Sequence, residues 1–453
     1  MKTPNRSSTG ASSLDRRRFT ATALGATALG GRAFGATTAL IAGGFPSLSF
    51  AKGPRVVIVG AGAGGATVAR HLSAQLGGQV ELVVVSGPSA SYVPPFLGKP
   101  LLLGESGPVL PPFEMLFAGL KLSLVAGTAM AIDRSGKTLK VRQGSATTDL
   151  AYDILVAAPG VALKNYGGET ASLADPHGAC WTADGACNAM IAGVDALPQG
   201  GRLTVIAPPQ PFRCPPAIYE RVCLLAHRLT ITNPGASILI LDEKDRYPMQ
   251  ALFEAAYSDY YEDMIEWVPL EFHGGVTSID FENGLIETDF ESFRSDFIHA
   301  LPPQVAPDFL TAAGLGDDQG YCPIEAATMR SGRDQDIYVV GDASAAGEMS
   351  KSAGSAIVQG KLAAEAIGEK VTGRRPDTET GTETEIVDKC WSFVAPDDAV
   401  RLGGRYRPAG DHFAALEHFT SNVEDPAEIR QENAREARLW SAMILSEIYG
   451  VDL

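Results

Sequence analysis

The stretch from Arg55 to Arg70, Arg-Val-Val-Ile-Val-Gly-Ala-Gly-Ala-Gly-Gly-Ala-Thr-Val-Ala-Arg, constrains this chain more than any other. A β-branched run passes through glycines directly into an alanine-rich helix, the order of strand, tight turn and helix in a dinucleotide-binding unit. Val56 to Val59 read as a buried parallel strand. Gly60 makes the turn, Gly62 lets the backbone approach a pyrophosphate, and Gly65, with Gly64 beside it, lets the helix pack close to the strand. A glycine turn that merely links strand to helix is the plainer reading, and the flanking elements weigh against it. The acidic residue that would hold a ribose hydroxyl is missing, because the second strand, Glu81-Leu-Val-Val-Val-Ser86, ends in serine. That contact falls to Ser86 or to another part of the chain.

At 453 residues, 45% hydrophobic and 20% charged, the chain has an ordinary globular composition and room for two or three domains. Residues 1–51 hold six Lys/Arg against one acid, so the remainder holds −21 of the whole chain's formal −16. So acidic a chain suits neither nucleic acid nor an anionic membrane surface, and suits a basic protein partner. Within 1–51, Ser13-Leu-Asp-Arg16-Arg17-Arg18-Phe19 precedes a weakly apolar Ala/Gly/Thr/Leu stretch, and Ser49-Phe50-Ala51 offers a small-x-small cleavage site. This pattern resembles a twin-arginine export signal, which carries proteins already folded around a cofactor and places the mature chain in the periplasm from about Lys52. A membrane anchor is the alternative, and the segment is too rich in Ala, Gly and Thr for a strong span. Cys180, Cys187, Cys214, Cys223, Cys322 and Cys390 would then sit in an oxidising compartment. Their spacing spells no zinc site, so no metal is expected, and redox chemistry or scattered buried thiols remain.

Further along, Val93-Pro94-Pro95 forms a loop expected to lie against a cofactor, and short strands fill Lys121 to Lys140 around a turn at Ser135-Gly136. Tyr152-Asp-Ile-Leu-Val-Ala-Ala158-Pro159-Gly160 reads as a buried strand with a Pro-Gly stop that returns the chain to the first sheet. A second strand, turn and helix begins at Arg202, yet its turn, Pro208-Pro209-Gln-Pro-Phe-Arg-Cys214-Pro-Pro, has prolines and a cysteine where glycines would be needed. Without them the backbone cannot approach a pyrophosphate, so no nicotinamide dinucleotide is expected here. What survives is a βαβ scaffold presenting Cys214 on a stiff loop at a strand's carboxyl end, with a buried inert thiol as the alternative. Asp296 to Leu301 reads as a strand back in the first domain. Asp336-Ile-Tyr-Val-Val-Gly341-Asp342-Ala343 is a strand delivering a Gly-Asp pair, a second flavin signature some 280 residues after the first. Residues 372–385 have the composition of a linker, and Ile386 to Leu453, with Trp391, Tyr406 and Trp440, reads as a small α+β cap.

Taken together, these segments resemble the flavoprotein subunit of flavocytochrome c sulfide dehydrogenase, within the sulfide:quinone oxidoreductase-like branch of the disulfide-reductase flavoproteins. The resemblance runs through Val205 to Arg221, Met264-Ile-Glu-Trp267, Leu301-Pro-Pro-Gln304, Tyr321-Cys-Pro323, Val340-Gly-Asp-Ala343, Lys351-Ser352, Gln359-Gly-Lys361 and Tyr406-Arg-Pro408. It implies FAD in the first domain, a cysteine pair that handles sulfide sulfur, and electrons passed to a c-type cytochrome. Cys214 falls on the first redox cysteine, but Ser344 stands where the second would be. Val93-Pro94-Pro95 occupies the loop where a cysteine would tether FAD. In the implied chemistry hydrosulfide opens a disulfide and leaves a persulfide, which serine cannot do.

Cys214 therefore needs another partner or works alone. Cys180, in Gly178-Ala-Cys180-Trp181, is one candidate, either near Cys214 or near the flavin, with a structural bridge to Cys187 as the alternative. Glu220 and Lys351 are candidate proton or anion handlers by their place in the family-like stretches, with a solvated surface role as the alternative. Cys322 and Cys390 read as structural and Cys223 as core. The charged stretch from Asp425 to Arg438 favours a soluble acceptor over quinone: a c-type cytochrome subunit, or another periplasmic carrier such as a copper protein, with no nucleic acid and no stable membrane insertion. No haem is expected in a chain without a C-x-x-C-H motif.

The expected fold is α/β, with two Rossmann-like FAD/NAD(P)-binding-type domains, the second lacking an NAD motif, and an α+β C-terminal cap. Expected boundaries are 1–51 for the signal, 52–165 and 290–376 for the FAD-binding domain, 166–289 for the second domain and 377–453 for the cap. Cofactor contacts are expected from Gly60, Gly62, Gly64, Gly65, Ser86, Ala158, Gly160, Gly341, Asp342 and Ala343, and chemistry from Cys214, Cys180, Ser344, Glu220 and Lys351. The task implied is oxidation of sulfide to sulfur or polysulfide. The alternatives are a flavoprotein partner in a redox complex with little activity of its own, and a quinone-linked sulfide oxidoreductase.

Overall fold

In the computed structural model of the chain, the described residues are 53–87, 99, 102–105, 117–164, 185–374 and 385–450. The signal-like segment, the Val93-Pro94-Pro95 loop and Cys180 lie outside them. In chain order the elements that build the site are β1 (Arg55–Val59), α1 (Ala63–Leu76), β2 (Glu81–Ser86), β3 (Ser123–Ala126), β4 (Ile154–Ala157), α2 (Gly185–Asp195), β5 (Arg202–Ala207), α3 (Ala217–Thr232), β6 (Ser237–Asp242), α4 (Gln250–Tyr260), β7 (Ile265–Val268) and β8 (Phe297–Ala300). They continue as β9 (Cys322–Glu325), β10 (Arg330–Ser331), β11 (Ile337–Val339), β12 (Ser344–Ala345), α5 (Ala353–Thr372), β13 (Ile386–Ala395), β14 (Asp398–Ala409), β15 (His412–Thr420) and α6 (Ala427–Tyr449).

The first sheet has the order β12-β9-β10-β11-β4-β1-β2-β3. Its centre is parallel, with Val57 facing Val83 on one side and Leu155 on the other. These β-branched runs are buried on both faces, as a parallel sheet sandwiched by helices requires. Because β2 and β4 leave β1 in opposite directions, the turn after β1 opens at a topological switch point. There α1 packs against α5. Their small residues permit it: a Cβ on Gly360 would stand 2.8 Å from Gly64 O and 3.0 Å from Thr67 Cβ.

The second sheet, β7-β6-β5-β8, is wholly parallel. It has its own switch point after β5, and Cys214 lies in the loop that follows. β8 corrects the expected domain course: the strand from residue 297 pairs in register with β5, His299 opposite Val205, so the chain has not returned to the first sheet at 290. The return comes at β9. The apolar Phe-Ile-His-Ala run fits either parallel sheet; its pairing with β5 decides the matter, and no local signal announces it.

The three antiparallel strands β13, β14 and β15 and the helix α6 form the C-terminal part. Ile386, Tyr406, Phe413, Ile444 and Tyr449 join the core of the first sheet, whereas Trp391, Phe393, Val400 and Ala434 join the core around α3 and α4. One segment thereby spans both cores. No helix among the described residues is long and apolar enough to cross a membrane.

Candidate functional site

Each glycine of the first turn has its own steric reason. Gly60 has φ +93°, and a Cβ there would stand 2.2 Å from Ala158 O. A Cβ on Gly65 would stand 2.0 Å from Gly60 O, and one on Gly64 would stand 2.6 Å from Val340 Cγ1. At Gly62 a Cβ would meet nothing within 4 Å. Gly60 and Gly65 close the turn, Gly64 packs it against the strand leading to Gly341-Asp342, and Gly62 leaves open the face where a pyrophosphate would lie. Gly62 caps α1 without a side-chain bond, and the first turn carries no acid. Its N–H groups thus remain available to an anion. Ala158 donates from N to Val59 O at 2.9 Å, and Gly160, at φ +74°, borders open space as Gly62 does. Ser86 ends β2, partly exposed.

Gly341, Asp342 and Ala343 form a single short helical turn after β11. Gly341 N–H donates to Gln359 Oε1 at 2.7 Å. The Ser344 hydroxyl donates to Gly341 O at 2.7 Å, so serine is used here to hold the turn. Lys351 Nζ donates to Asp342 O at 2.9 Å and Ser344 O at 2.7 Å, and lies 3.8 Å from the centre of the Tyr321 ring. Burial lowers its ammonium to about 8, against the pull of Asp342. Burial likewise raises the Asp342 carboxyl, against Arg213 and Lys351. Lys351 is half-buried, with its ammonium turned onto the Gly341-Asp342-Ala343 turn rather than to solvent.

Cys214 joins this group through its backbone, donating from N to Lys351 O at 2.7 Å. Its φ is +49°, a left-handed conformation rare outside glycine, held by the surrounding loop. Arg213 N–H donates to Gln304 Oε1 at 3.0 Å, and the Tyr321 hydroxyl reaches Pro211 O and Gln304 O, both at 2.8 Å. The residue keeps some exposure, yet the protein packed around the sulfur, and after it Asp342, push the thiol up to about 12. A neutral thiol at this position is a poor nucleophile.

Glu220, in the first turn of α3, is also buried. Its Oε1 accepts from Lys99 Nζ at 2.8 Å and from Phe393 N at 2.7 Å. Neither Lys99 nor Phe393 carries a sequence signal of this contact. The local motif around Glu220 carries no trace of them, because their partnership is made by packing across 121 and 173 residues of chain. Cys223 is buried in the core, as expected, and Cys322 lies opposite Ser344 across the β9–β12 pairing.

In the second sheet the carboxylate at the end of β6, where a nicotinamide domain would meet a ribose, is turned inward. Asp242 accepts from the Tyr219 hydroxyl at 2.6 Å, Trp267 Nε1 at 3.0 Å and Lys244 Nζ at 2.5 Å. Tyr219 stacks on Tyr247 with centroids 3.8 Å apart. Aromatic donors and an ion pair thus occupy this carboxylate, which is not free to accept from a ribose hydroxyl.

Residues 188–302 match the family model described as sulfide dehydrogenase (flavocytochrome c) flavoprotein chain, central. Residues 383–449 match flavocytochrome c sulphide dehydrogenase, flavin-binding. The fold is similar to that of the sulfide:quinone oxidoreductase from the hyperthermophilic bacterium Aquifex aeolicus, with TM-score 0.66 and 15% identity over 88% of this chain and 92% of that one. It is also similar to a NAD-dependent persulfide reductase from A. fulgidus, with TM-score 0.55 and 16% identity over 85% of this chain and 77% of that one. A reduced CoADR-RHD from Bacillus anthracis gives TM-score 0.54 and 15% identity over 85% and 80%. At such identities the likeness establishes the two-sheet α/β fold.

Proposed function

Because the chain carries the central and flavin-binding domains of the flavocytochrome c sulfide dehydrogenase flavoproteins, we propose that it oxidises sulfide, or a related sulfur species, at Cys214 and passes the electrons to a c-type cytochrome. It is a flavin-dependent oxidoreductase with FAD as its cofactor. The open face at Gly62, the uncapped start of α1 and the Gly341-Asp342 turn fit the pyrophosphate and ribityl parts of that cofactor. Bound FAD supplies acceptance of two electrons and their release one at a time.

The observation that carries the proposal is the 2.7 Å bond from Cys214 N to Lys351 O. It fixes the sulfur's loop to the residue whose ammonium holds the Gly341-Asp342-Ala343 turn. Arg213 and Lys351, beside Asp342, bring positive charge to a site whose substrate, hydrosulfide, is an anion. Export by the twin-arginine route to the periplasm belongs to the same proposal and is supported by Arg16-Arg17-Arg18-Phe19. An acidic chain, formally −16, suits a basic cytochrome better than a quinone pool.

The test is an anaerobic sulfide titration of the purified holoprotein, followed by flavin absorbance, on wild type and Cys214→Ser. Bleaching of the wild type with at least about a hundredfold slower reaction in the variant, about 2.7 kcal/mol of barrier, supports the enzyme. Ser344 favours a second reading, a flavin-bearing partner protein with little sulfide activity. That reading prevails if neither protein responds to sulfide while dithionite still reduces the flavin.

A further inference from the structure

A further free thiol lies on a different strand from Ser344. Cys390 lies on β13, the strand whose Phe393 N–H is bound by Glu220 on the first turn of α3. The loop leading into that turn ends with Ala217 N donating to Cys214 O at 2.8 Å. β13 is therefore fastened to the same few residues that pose Cys214. Lys99 completes the junction: its Nζ reaches Glu220 Oε1 at 2.8 Å and Trp391 O at 3.1 Å, and Trp391 O is the carbonyl that Cys390 Sγ approaches at 3.9 Å.

Both sulfurs share this environment. The charges acting on Cys214 include Lys99 and Glu220; those acting on Cys390 are Lys99, Cys214, Asp388 and Glu220. Cys322, although it neighbours Ser344, faces Asp317 and Lys351 instead. Cys390 and Cys214 are thus two free thiols whose neighbouring backbone is fastened to the same Lys99–Glu220 pair. Packing raises both thiols above their ordinary range, so the reduced pair rests neutral and the uncharged disulfide suits the site.

We propose that Cys390 is the partner of Cys214 in a reversible disulfide, taking over the role that Ser344 cannot perform. This deepens the sulfide-oxidising reading and rests on it. Formation of the pair joins the two Sγ atoms and releases two protons and two electrons to a two-electron oxidant of the isoalloxazine or azodicarboxamide class. Hydrosulfide then attacks Cys214 Sγ. The bond to the incoming sulfur forms as the bond to Cys390 breaks, and the electron pair leaves on Cys390 Sγ, which takes up the proton of the incoming hydrosulfide. Cys214 is left as the persulfide.

The experiment uses the full-length holoprotein under anaerobic conditions, treated with one equivalent of azodicarboxamide and digested without reductant. A cross-linked peptide joining Cys214 and Cys390 is expected. Sulfide should then add the mass of one sulfur to the Cys214 peptide and return Cys390 as a free thiol. A cross-link from Cys214 to Cys180 or Cys322, or no cross-link, overturns the pair. In parallel, Cys390→Ser should slow flavin bleaching by sulfide at least a hundredfold with its flavin content unchanged, whereas Cys223→Ala should bleach as the wild type does. Bleaching of Cys390→Ser at the wild-type rate overturns the pair and leaves sulfide oxidation standing. A Cys214–Cys390 cross-link in a protein whose flavin ignores sulfide supports the pair and removes sulfide as the substrate.

Discussion

Gly60 and Gly62 stand two residues apart and fail in different ways. An alanine at Gly60 combines a left-handed φ of +93° with a 2.2 Å approach to Ala158 O. Gly60→Ala is expected to cost about 3 kcal/mol or more of stability, read by denaturant unfolding. An alanine at Gly62 meets nothing within 4 Å. Gly62→Ala should cost no more than about 1 kcal/mol, the difference between glycine and alanine at a helix cap. It should nevertheless weaken FAD binding by at least about tenfold, near 1.4 kcal/mol, in titration of the flavin-free protein. Unchanged FAD affinity in that variant would place the pyrophosphate elsewhere. Lys351 offers a titration of a different kind. Its native ammonium releases its proton near pH 8, below the ordinary lysine value of 10.5, because it is buried. Between those values the unfolded chain binds more protons than the native one, so this residue makes stability rise with pH, by up to about 1.4 kcal/mol per unit. Lys351→Met should flatten the wild-type profile of unfolding free energy between pH 8 and 10. A profile identical to wild type would mean that Lys351 keeps an ordinary proton affinity.

At the scale of elements, the start of α5 is held from outside its own segment. Asp388 Oδ2, on β13, accepts from the hydroxyls of Ser350, Ser352 and Ser355, each at 2.9 Å, and Ser352 is also the helix cap. A carboxylate there also meets the positive end of the helix. Asp388→Ala leaves three buried or part-buried hydroxyls without their acceptor and should destabilise by about 3 kcal/mol or more in thermal unfolding, with Asp388→Asn milder. Sequence reading found the elements whose residues are neighbours in the chain: the β1 turn, the Gly341-Asp342 strand and the proline-stiffened Cys214 loop each carry their signal locally. Asp388, Lys99 and Cys390 are connected to the site only by pairings across long stretches of chain, and no local pattern encodes those. A faint sign existed at Asp388, which shares the inward face of β13 with Ile386 and is buried there. A carboxylate in an apolar-facing position implies a partner, although not which one. β8 has the same character, since a short apolar strand does not say which sheet it joins.

Over the whole molecule, the C-terminal segment joins the two cores a second time, beyond the bonds from Cys214 N to Lys351 O and from Tyr321 to Pro211 O. β13 borders α3 and its core, and α6 crosses to α1. Near its end Tyr449 donates from its hydroxyl to Ala61 O at 3.1 Å, inside the glycine turn, while Arg70 Nη1 donates to Tyr449 O at 3.0 Å. Phe117 packs edge-on against the Tyr449 ring. Tyr449→Phe removes one buried hydrogen bond and should destabilise by about 1 kcal/mol, and it should weaken FAD retention more than a similar loss far from the turn. Equal retention in both variants would show that the turn holds its shape unaided.

The bond from Tyr449 to Ala61 also sets an order of events in the life of the chain. During synthesis the strand, turn and helix at 55–76 emerge early, and domains fold as they appear. The turn itself is completed only by a residue 388 positions later. A ribosome still translating this chain therefore displays an unfinished nucleotide cradle. Flavin retention is then expected to strengthen once α6 is in place, and a chain ending before Tyr449 should hold FAD less tightly than the full chain.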